Sequence, residues 1–507
     1  MKSSRAKTLR VMLVVVVLGS SSIMNAQPAA GPLTVQGLDH VVITGARARA
    51  MGGTSIANIY DATALFANPA ALSRLSALEI RVGGLFESSH RQQDQNWIPT
   101  KDLPTLSVLF EGLTGGIKTP DSAGRPVTNP WLNVQRQYDN LSPNWNTTSS
   151  KTRPLTFATA LPLTVSDMKV TPAIGVAQVV DLNNYYQNNN SMAPYMGQER
   201  PFTQWSNSVD TIHIKWYQFV RSREGSVYGI TPGLSVTFLS GLTIGGSVAV
   251  LSGSSDDLEQ RVERGHLNVA VSNGKAKNFM LDTAYYYQSK TGTSTYSGTL
   301  FTLGLLYQQP MYSIGITVKP AMTLSRTWDR NVMSIDTTRK SFPVRVDSLR
   351  SRSYHESGKD DVKFPLAYAL GFVLTPSERW TFAFDYEVRN LANVEWTSQS
   401  NGVAAHPWVN NSANWRLGAE YRVSDMLALR GGYHEDTQPF SPDGSAIVDK
   451  PASGEIYSLG AGLKVGNILV DLAYEYSILK YQDIYQSNVN YNTREQHQFM
   501  VEIAYRF

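Results

Sequence analysis

The side chains best suited to chemistry are spread thinly along this chain. Its eight histidines lie far apart, and none stands in an HExxH or comparable metal-ligating pair. The sequence has no GxSxG turn, no GxxxxGK[ST] loop and no cysteine, so it offers no nucleophile elbow, phosphate loop or thiolate. We therefore predict no catalytic residue, no metal and no cofactor, and we expect that the protein is not an enzyme.

A second set of candidates is the charged residues that alternate with apolar ones in the C-terminal part of the chain. They are Asp385, Glu387, Arg416, Glu420, Arg422, Arg430, Asp471, Glu475, Glu502 and Arg506. If these side chains share the inner face of a sheet, they form a structural ion-pair network, because buried charges must be paired. Alternatively, one unpaired arginine among them binds the carboxylate of a ligand through charge-assisted hydrogen bonds.

The pattern that carries these charges is a repeated alternation with period two. At the C-terminus the residues Phe499, Val501, Ile503, Tyr505 and Phe507 alternate with Met500, Glu502, Ala504 and Arg506. Similar alternation recurs around 380–388, 415–422, 427–434 and 468–476. A membrane barrel turns such apolar faces to lipid and its charges to the interior, and aromatic residues near the strand ends suit the interfaces.

The connections between these segments alternate in length. Short turns occur near Ser166, Gly241, Pro310, Ser424 and Gly466. Long polar segments, predicted as loops, separate them: 91–153, 183–224, 265–295, 331–359, 394–412, 437–453 and 483–494. This alternation predicts an all-β fold, a transmembrane antiparallel β-barrel over 76–507 with about 14 strands. The segment 208–222 could raise the number of strands to sixteen.

The first 26 residues are typical of a cleaved signal peptide. A basic start from Lys2 to Arg10 precedes a short apolar stretch, and Ala26 is a plausible last residue before cleavage. We therefore expect export to the bacterial outer membrane, in contact with its lipid and lipopolysaccharide. The net charge of +4 is too small and dispersed to suggest binding to nucleic acid.

Residues 27–75 do not alternate like barrel strands. They are rich in small residues, and Gly52-Gly53 allows close backbone packing. Asp61 could cap a short helix over 62–67, and Asn68-Pro69 would end it. We predict a plug, or hatch, inside the barrel, and a periplasmic tail is the alternative.

Two stretches resemble the FadL-type outer-membrane transporters of long-chain fatty acids and other hydrophobic compounds. Residues 48–72 are similar to the hatch sequence of that family, with its Gly-Gly, Asp-Ala and Asn-Pro-Ala. Residues 415–433 resemble its late hairpin, with Leu-Arg-Gly-Gly-Tyr in the second strand, and the middle of the chain, 91–360, shows no motif that aligns. The family implies a fourteen-stranded barrel, in agreement with the strand count above.

The resemblance also implies a function. We expect passive uptake of hydrophobic molecules (fatty acids, hydrocarbons or aromatics) by a monomer, with capture by loops, an apolar internal pocket and rearrangement of the hatch. The matched hairpin favours Arg430 and then Arg416 as ligand-binding residues, and aromatic residues of the long loops, Trp97, Trp131, Tyr185 and Tyr186, are further candidates. A sideways exit would use a kink in strand three, with Gly175 as the candidate position.

Two other functions stay open. A related branch with the same hatch motif acts in protein secretion, so the barrel could instead dock a protein. An outer-membrane hydrolase would need a Ser-His or Asp-His pair in the lumen.

Overall fold

The computed structural model describes most of the chain after residue 32. The described residues are 33–97, 144–166, 168–196, 210–239, 241–272, 275–282, 286–340, 345–440, 452–485 and 488–507. The predicted signal peptide and Trp131 lie outside these ranges.

Over the described ranges, twenty-one antiparallel strands form one sheet. The first eleven are β1 (Glu79–Trp97), β2 (Trp145–Ala160), β3 (Leu163–Val165), β4 (Met168–Asp181), β5 (Asn184–Met196), β6 (Asp210–Leu239), β7 (Leu242–Ser272), β8 (Lys275–Asp282), β9 (Tyr286–Gln308), β10 (Tyr312–Lys319) and β11 (Met322–Lys340). The rest are β12 (Arg345–Phe364), β13 (Ala367–Ser377), β14 (Trp380–Arg389), β15 (Glu395–Ser398), β16 (Ala404–Ala405), β17 (Ser412–Arg422), β18 (Leu427–Thr437), β19 (Ser453–Val465), β20 (Ile468–Tyr485) and β21 (Asn488–Arg506).

The sheet closes on itself. Strand β1 pairs on one side with β2 and on the other with β21, from Glu79 opposite Arg506 to Trp97 opposite Asn488. Closure removes the open edge that a sheet cannot keep in lipid, where each unpaired backbone group costs several kcal/mol.

Some strands share one position in the wall. Strands β10 and β11 both pair with β9, and the break between them falls at Pro320, which has no N–H to donate to the ladder. Strands β12 and β13 are interrupted in the same way at Pro365, and β2 and β3 at Pro162. We count each of these three pairs, and the pair β4 and β5, as one strand position, and we leave out the short strands β8, β15 and β16. The barrel wall then has fourteen strand positions, as predicted.

The outside of the wall carries an apolar belt. Each of the fourteen positions contributes at least one large apolar side chain that is 38–64% exposed: Ile80, Phe157, Ile174, Ile230, Ile244, Phe301, Ile316, Leu370, Phe382, Leu417, Leu429, Leu459, Leu472 and Val501. Their neighbours in sequence point inward, as Met500, Glu502 and Ala504 do between the exposed residues of β21. A continuous apolar surface of this size marks contact with a membrane. The predicted transmembrane barrel is confirmed.

Four of the predicted long loops, 183–224, 265–295, 331–359 and 483–494, are wrong wherever the structure describes long stretches of strand in them. Most of 91–153 and 437–453 lies outside the described residues. Strands β6 and β7 have 30 and 31 residues and continue far past the apolar belt, where β6 covers 210–224, after β5 over 184–196, and β7 covers the first part of 265–295. Strands β11 and β12 likewise fill most of 331–359. Beyond the belt both faces of a strand can be polar, so the period-two signal that locates strands disappears there. We call this end of the barrel the tall end and the opposite one, with the short connections, the turn end.

The helices are short. They are α1 (Ala46–Ala50), α2 (Ala64–Ala67) and two 3₁₀ helices, Pro69–Arg74 and Leu391–Asn393. In the described part of the chain, no helix has the length and apolar character that a membrane span requires.

Candidate functional site

A ring of glycines on the inner wall makes room for residues 46–72, which we call the plug. Nine glycines on nine wall positions approach the plug so closely that an added Cβ would come within 2.0–2.7 Å of a plug atom: Gly175, Gly233, Gly245, Gly304, Gly315, Gly371, Gly418, Gly432 and Gly460. Three pairs of them are direct cross-strand partners, such as Gly245 with Gly304 and Gly418 with Gly432. The wall is therefore built for close contact between its backbone and the plug.

The hatch glycines lie at the matching place on the plug. Gly52 and Gly53 have φ angles of +64° and +79°, in the left-handed region that favours glycine. A Cβ on Gly52 would lie 2.2 Å from the carbonyl oxygen of Leu417 and 2.6 Å from the amide nitrogen of Tyr433. Both the turn and the contact with the late hairpin therefore require glycine at position 52.

The predicted start and end of the hatch helix are close to the observed ones. The Asp61 carboxylate accepts a hydrogen bond from the Thr63 amide at 2.9 Å, and the helix α2 begins at Ala64 rather than at residue 62. Asn68 is extended, and Pro69 opens the following 3₁₀ helix, so this pair ends α2 as expected. The Asn68 side chain also donates to the carbonyl oxygen of Ile56 at 2.6 Å and so ties two turns of the plug together.

A buried ion network lies beneath the plug. Arg81 is 2% exposed and meets four carboxylates, with Nε 3.1 Å from Glu79, Nη1 2.8 Å from Asp471 and 3.2 Å from Glu502, and Nη2 3.9 Å from Asp61 of the plug. Such a cluster has a large desolvation cost that only complete pairing offsets. Around Arg81, the inward-facing charges therefore form a structural ion-pair network, the first of the two possibilities that the sequence left open.

Glu502 and other carboxylates of the barrel wall also hold the plug directly. The Ala46 amide donates to Glu502 at 2.7 Å, and the amides of Ser55 and Ile56 donate to Asp385 at 2.5 and 2.9 Å. From the plug, Arg47 pairs with Glu420 at 3.0 Å, and Arg49 pairs with Glu475. Charged residues of the wall therefore fix both the backbone and the side chains of the plug.

Arg74 anchors the plug at the turn end. Its guanidinium donates to the carbonyl oxygens of Ala57 and Ile59 at 2.6 and 3.1 Å, and it lies 4.2 Å from the ring centre of Tyr60. Burial lowers the pKa of the Arg74 guanidinium, which Tyr60 partly opposes. The group still pairs with no carboxylate among the described residues, so backbone carbonyls and an aromatic face stabilise it.

The two arginines favoured as ligand-binding residues are both paired. Arg430 donates to Glu420 at 2.7 Å and to Asp471 at 2.6 Å, deep in the network. An unpaired guanidinium was the premise for Arg430, and the structure contradicts that premise. Arg416 pairs with Glu387 at 2.6 Å but lines a cavity, so its role stays a prediction. Arg422, expected inside, is exposed at the turn end.

Two connected cavities lie between the plug and the tall end. The inner cavity, of about 210 Å³, borders the plug and is lined by many charged side chains, including Arg49, Lys319, Glu387, Arg389 and Arg416. The outer cavity has about 180 Å³. Residues 39, 40, 183, 438, 479 and 494 line both, so the cavities adjoin. The cavity beside the plug therefore has a mixed lining, in which charged side chains stand beside apolar ones such as Val42, Ile56 and Phe66.

Aromatic residues line the outer cavity instead. They are Trp145, Tyr185, Tyr186, Trp408, Phe440 and Tyr481. Trp145 and Tyr185 meet edge to face at 5.6 Å, and Phe440 and Tyr481 at 5.4 Å. The structure thus brings together two of the aromatic candidates, Tyr185 and Tyr186. Trp97 ends β1, but its side chain, like all of Trp131, lies outside what the structure describes.

The wall beside these cavities contains a gap in strand pairing, which we call the seam. Strand β2 pairs with β4 only from Thr156 to Ala160, so β2 from Trp145 to Leu155 has no ladder to β4 or β5. The segment just before the plug covers the seam at one point, where Val41 forms an antiparallel bridge to Val180. The Val42 amide donates to Val179 and the Asp181 amide to His40, each at 3.0 Å.

Side chains also cross the seam. Arg153 of β2 donates to Asp181 of β4 at 2.8 and 3.2 Å. The Tyr228 hydroxyl of β6 donates to the carbonyl oxygen of Pro154 at 2.8 Å. Lys151 of β2 also donates to Asn183 at 2.5 Å and lies 3.3 Å from Glu224 of β6. These side-chain contacts and a single backbone bridge thus replace a full ladder of backbone hydrogen bonds.

Gly175, the predicted kink, lies in a regular ladder between Ala158 and Thr231. The irregularity of β4 falls later, between Gln178 and Val180. A Cβ on Gly175 would lie 2.7 Å from the ring of Phe66, so this glycine accommodates the plug. The seam itself was not evident from the sequence, because it depends on which strands pair.

A hydrolase site does not emerge from the described residues. His40 lies 3.7 Å from the carboxylate of Asp39, yet the structure gives it no side-chain hydroxyl partner in that part of the lumen. His90 does contact the hydroxyl of Thr148 at 3.0 Å, but both side chains are exposed. Neither histidine has the nucleophile–base–carboxylate geometry of acyl hydrolysis.

Comparison with known proteins gives structural matches only. No protein-family model and no curated protein matches the chain. A crystal structure of a Pseudomonas aeruginosa FadL homologue is similar over 92% of this chain and 98% of its own, with a TM-score of 0.55 and 13% identity. The P. putida toluene transporter TodX is similar over the same two shares, with a TM-score of 0.53 and 15% identity.

These similarities concern nearly the whole length of both chains. At such low identity they establish the fold, and the chain has the barrel architecture of the FadL homologue and TodX. The fold suggested by the hatch and hairpin motifs is thereby confirmed.

Proposed function

We propose that the protein is an outer-membrane channel for passive uptake of small hydrophobic molecules, with entry at the tall end and exit through the seam. The apolar belt supports the membrane location, and the signal-like residues 1–26 support export. The similarity to TodX, described as a toluene transporter, supports the class of substrate. In this proposal the barrel acts as a monomer in contact with outer-membrane lipid and lipopolysaccharide.

The filled lumen at the turn end favours a sideways route. The plug contacts nine wall positions through the glycine ring, and paired charges hold it there. A straight path to the periplasm would have to break several buried ion pairs, at about 3–5 kcal/mol for each partner left alone.

The seam offers a smaller obstacle, and it is the observation that carries the proposal. It begins just above the pairing of Thr156 with Ala177, next to the belt residues Phe157 and Val176. A hydrophobic molecule that leaves the aromatic cavity there would reach the outer edge of the apolar belt. Residues 40–42 must first leave the edge of β4.

A reversible cross-link tests this route. Val41 and Val180 form a bridge of the pair type without mutual hydrogen bonds, in which Cα atoms are ~4.5 Å apart, within the range of a disulfide. The sequence has no cysteine, so Val41→Cys with Val180→Cys introduces a single pair. We expect the oxidised protein to lose uptake of radiolabelled toluene into cells and to regain it after reduction.

The single variants Val41→Cys and Val180→Cys, treated with the same oxidant, are the matched controls and should retain uptake. Unchanged uptake by the fully cross-linked protein would reject the seam as the exit. Uptake lost in both redox states would instead indicate damage by the substitutions, and smaller residues at both positions, Val41→Ala and Val180→Ala, would then show whether a looser bridge raises uptake.

A docking function has one observation in its favour. Strands β6 and β7 and the hairpin of β11 and β12 rise well past the belt and present polar surfaces, as with Thr295 facing Thr327. A protein that binds this wall would support a role in secretion or surface attachment. Deletion of the hairpin tip at 335–350 should leave toluene uptake intact under the channel proposal and abolish function under the docking alternative.

A further inference from the structure

Two arginines face each other across the strand pair that closes the barrel. Arg91 of β1 is the direct antiparallel partner of Arg494 of β21. Directly opposed residues have Cβ atoms ~4.5–5.5 Å apart, and like charges in this position destabilise a sheet. Both side chains point inward and are half-buried, so water screens their repulsion only in part.

Among the described residues no carboxylate pairs with either arginine, and neither Arg91 nor Arg494 has a side-chain hydrogen bond or ion pair there. Glu87 of β1 and Asp181 of β4, whose charges attract the Arg91 guanidinium, are both engaged by Arg153, at 3.2 and 2.8 Å. This contrasts with Arg81 and Arg430 lower in the barrel, each of which meets two or more carboxylates.

Both arginines line the outer cavity, and Arg494 also lines the inner one. A third guanidinium, that of Arg221, lies in the same lining, 5.5 Å from the ring centre of Tyr186. Among the described residues of that lining, the one carboxylate is that of Asp39, which is 3.7 Å from His40. The outer cavity therefore combines an excess of positive charge with aromatic walls.

We propose that Arg91 and Arg494 form a binding site for the acidic group of a small amphipathic anion, whose flat apolar body lies against Trp145 and Tyr185. This inference rests on the proposed channel function and adds acids with an aromatic body to its neutral hydrophobic substrates. An acidic group between the two guanidiniums replaces their repulsion with charge-assisted hydrogen bonds. The cavity of about 180 Å³ is smaller than the ~300–1,000 Å³ typical of drug-sized ligands, which suits a compact molecule.

Binding of 1-naphthoate to the full-length protein in a non-ionic detergent, measured by calorimetry, tests the site. Its methyl ester provides the same ring system without the charge, and decanoate provides the same acidic group on an alkyl chain. We expect naphthoate to bind at least about tenfold more tightly than the ester, the difference expected for a hydrogen bond to a charged group. Equal affinities for the two would overturn the site, and tighter binding of decanoate would overturn the aromatic body.

Variants assign the effect to the two residues. Arg91→Gln and Arg494→Gln should each weaken naphthoate binding by about tenfold or more and leave ester binding within about twofold. Arg91→Lys keeps the charge and should recover most of the affinity, and Arg379→Gln, at an exposed turn-end position, is the matched control. Unchanged naphthoate affinity in both Gln variants would reject the proposal.

The failure of this inference can be told apart from failure of the channel. If toluene uptake still depends on the redox state of the Val41–Val180 cross-link while the anion site fails, the channel stands with neutral substrates. If naphthoate binds as expected but the cross-link has no effect, the site stands and the seam is wrong.

Discussion

The two ends of the lumen contain similar side chains in opposite states. At the turn end, Arg81, Arg47 and Arg430 are buried and fully paired, and the plug backbone fills the remaining space. At the tall end, Arg91 and Arg494 oppose each other with no carboxylate partner in the described part of the chain, beside a gap in the wall. A charge that is completely paired contributes to a fixed structure, and one left without a partner in a cavity is available to a ligand.

The largest expected effect is at the centre of the paired end. Arg81→Met leaves Glu79, Asp471 and Glu502 buried without their shared cation, and should destabilise the barrel by about 3–5 kcal/mol. Urea unfolding in lipid vesicles measures this, with exposed Arg422→Met as the control that should change little. If the free energy of unfolding fell by less than about 1 kcal/mol, the paired charges at the turn end would not stabilise the barrel more than the charges at the tall end do.

The glycine ring gives the next effect. In Gly432→Ala the new methyl group would lie 2.0 Å from the Gly52 amide nitrogen, so the plug must shift, at a cost of about 1–3 kcal/mol. We expect larger and more frequent current openings in planar bilayers. Gly431→Ala is the matched control on the same strand, since its nearest neighbour is 3.7 Å away. Identical currents in the two variants would show that the plug does not depend on this contact.

The smallest effect belongs to the tall end. Lys151 pairs with Glu224 at 3.3 Å across the seam, with side chains 27% and 62% exposed. Lys151→Gln should change the free energy of unfolding by less than about 1 kcal/mol, because water weakens such pairs. Measured in the same vesicles as Arg81→Met, a change of comparable size would mean that the seam is as rigid as the network.

The sequence predicted the features that repeat locally. Alternation placed Phe499, Val501 and Ile503 on the outside and Glu502 inside, and the hatch motif placed Gly52 and Asp61 in turns of the plug. These signals lie within a few residues of one another, so no tertiary contact is needed to read them.

The features that the sequence did not predict depend on the register between strands that lie far apart in the chain. Arg430 has Glu420 as its direct partner within its hairpin, but only the position of β20 shows that Asp471 also pairs with it. Arg91 and Arg494 meet because the last strand returns to the first, and the glycine ring is spread over nine strands. The full length of the tall strands was not predicted, because they carry polar residues on both faces outside the belt.

The meeting of β1 with β21 also sets an order of events during assembly. The plug precedes β1 in the chain and yet lies inside a cylinder that only the final nineteen-residue strand completes. Residues 46–72 must therefore wait for the C-terminus, or be enclosed as it arrives, since afterwards the wall surrounds them. The earliest part of the chain thus reaches its final surroundings only when the latest part has been placed.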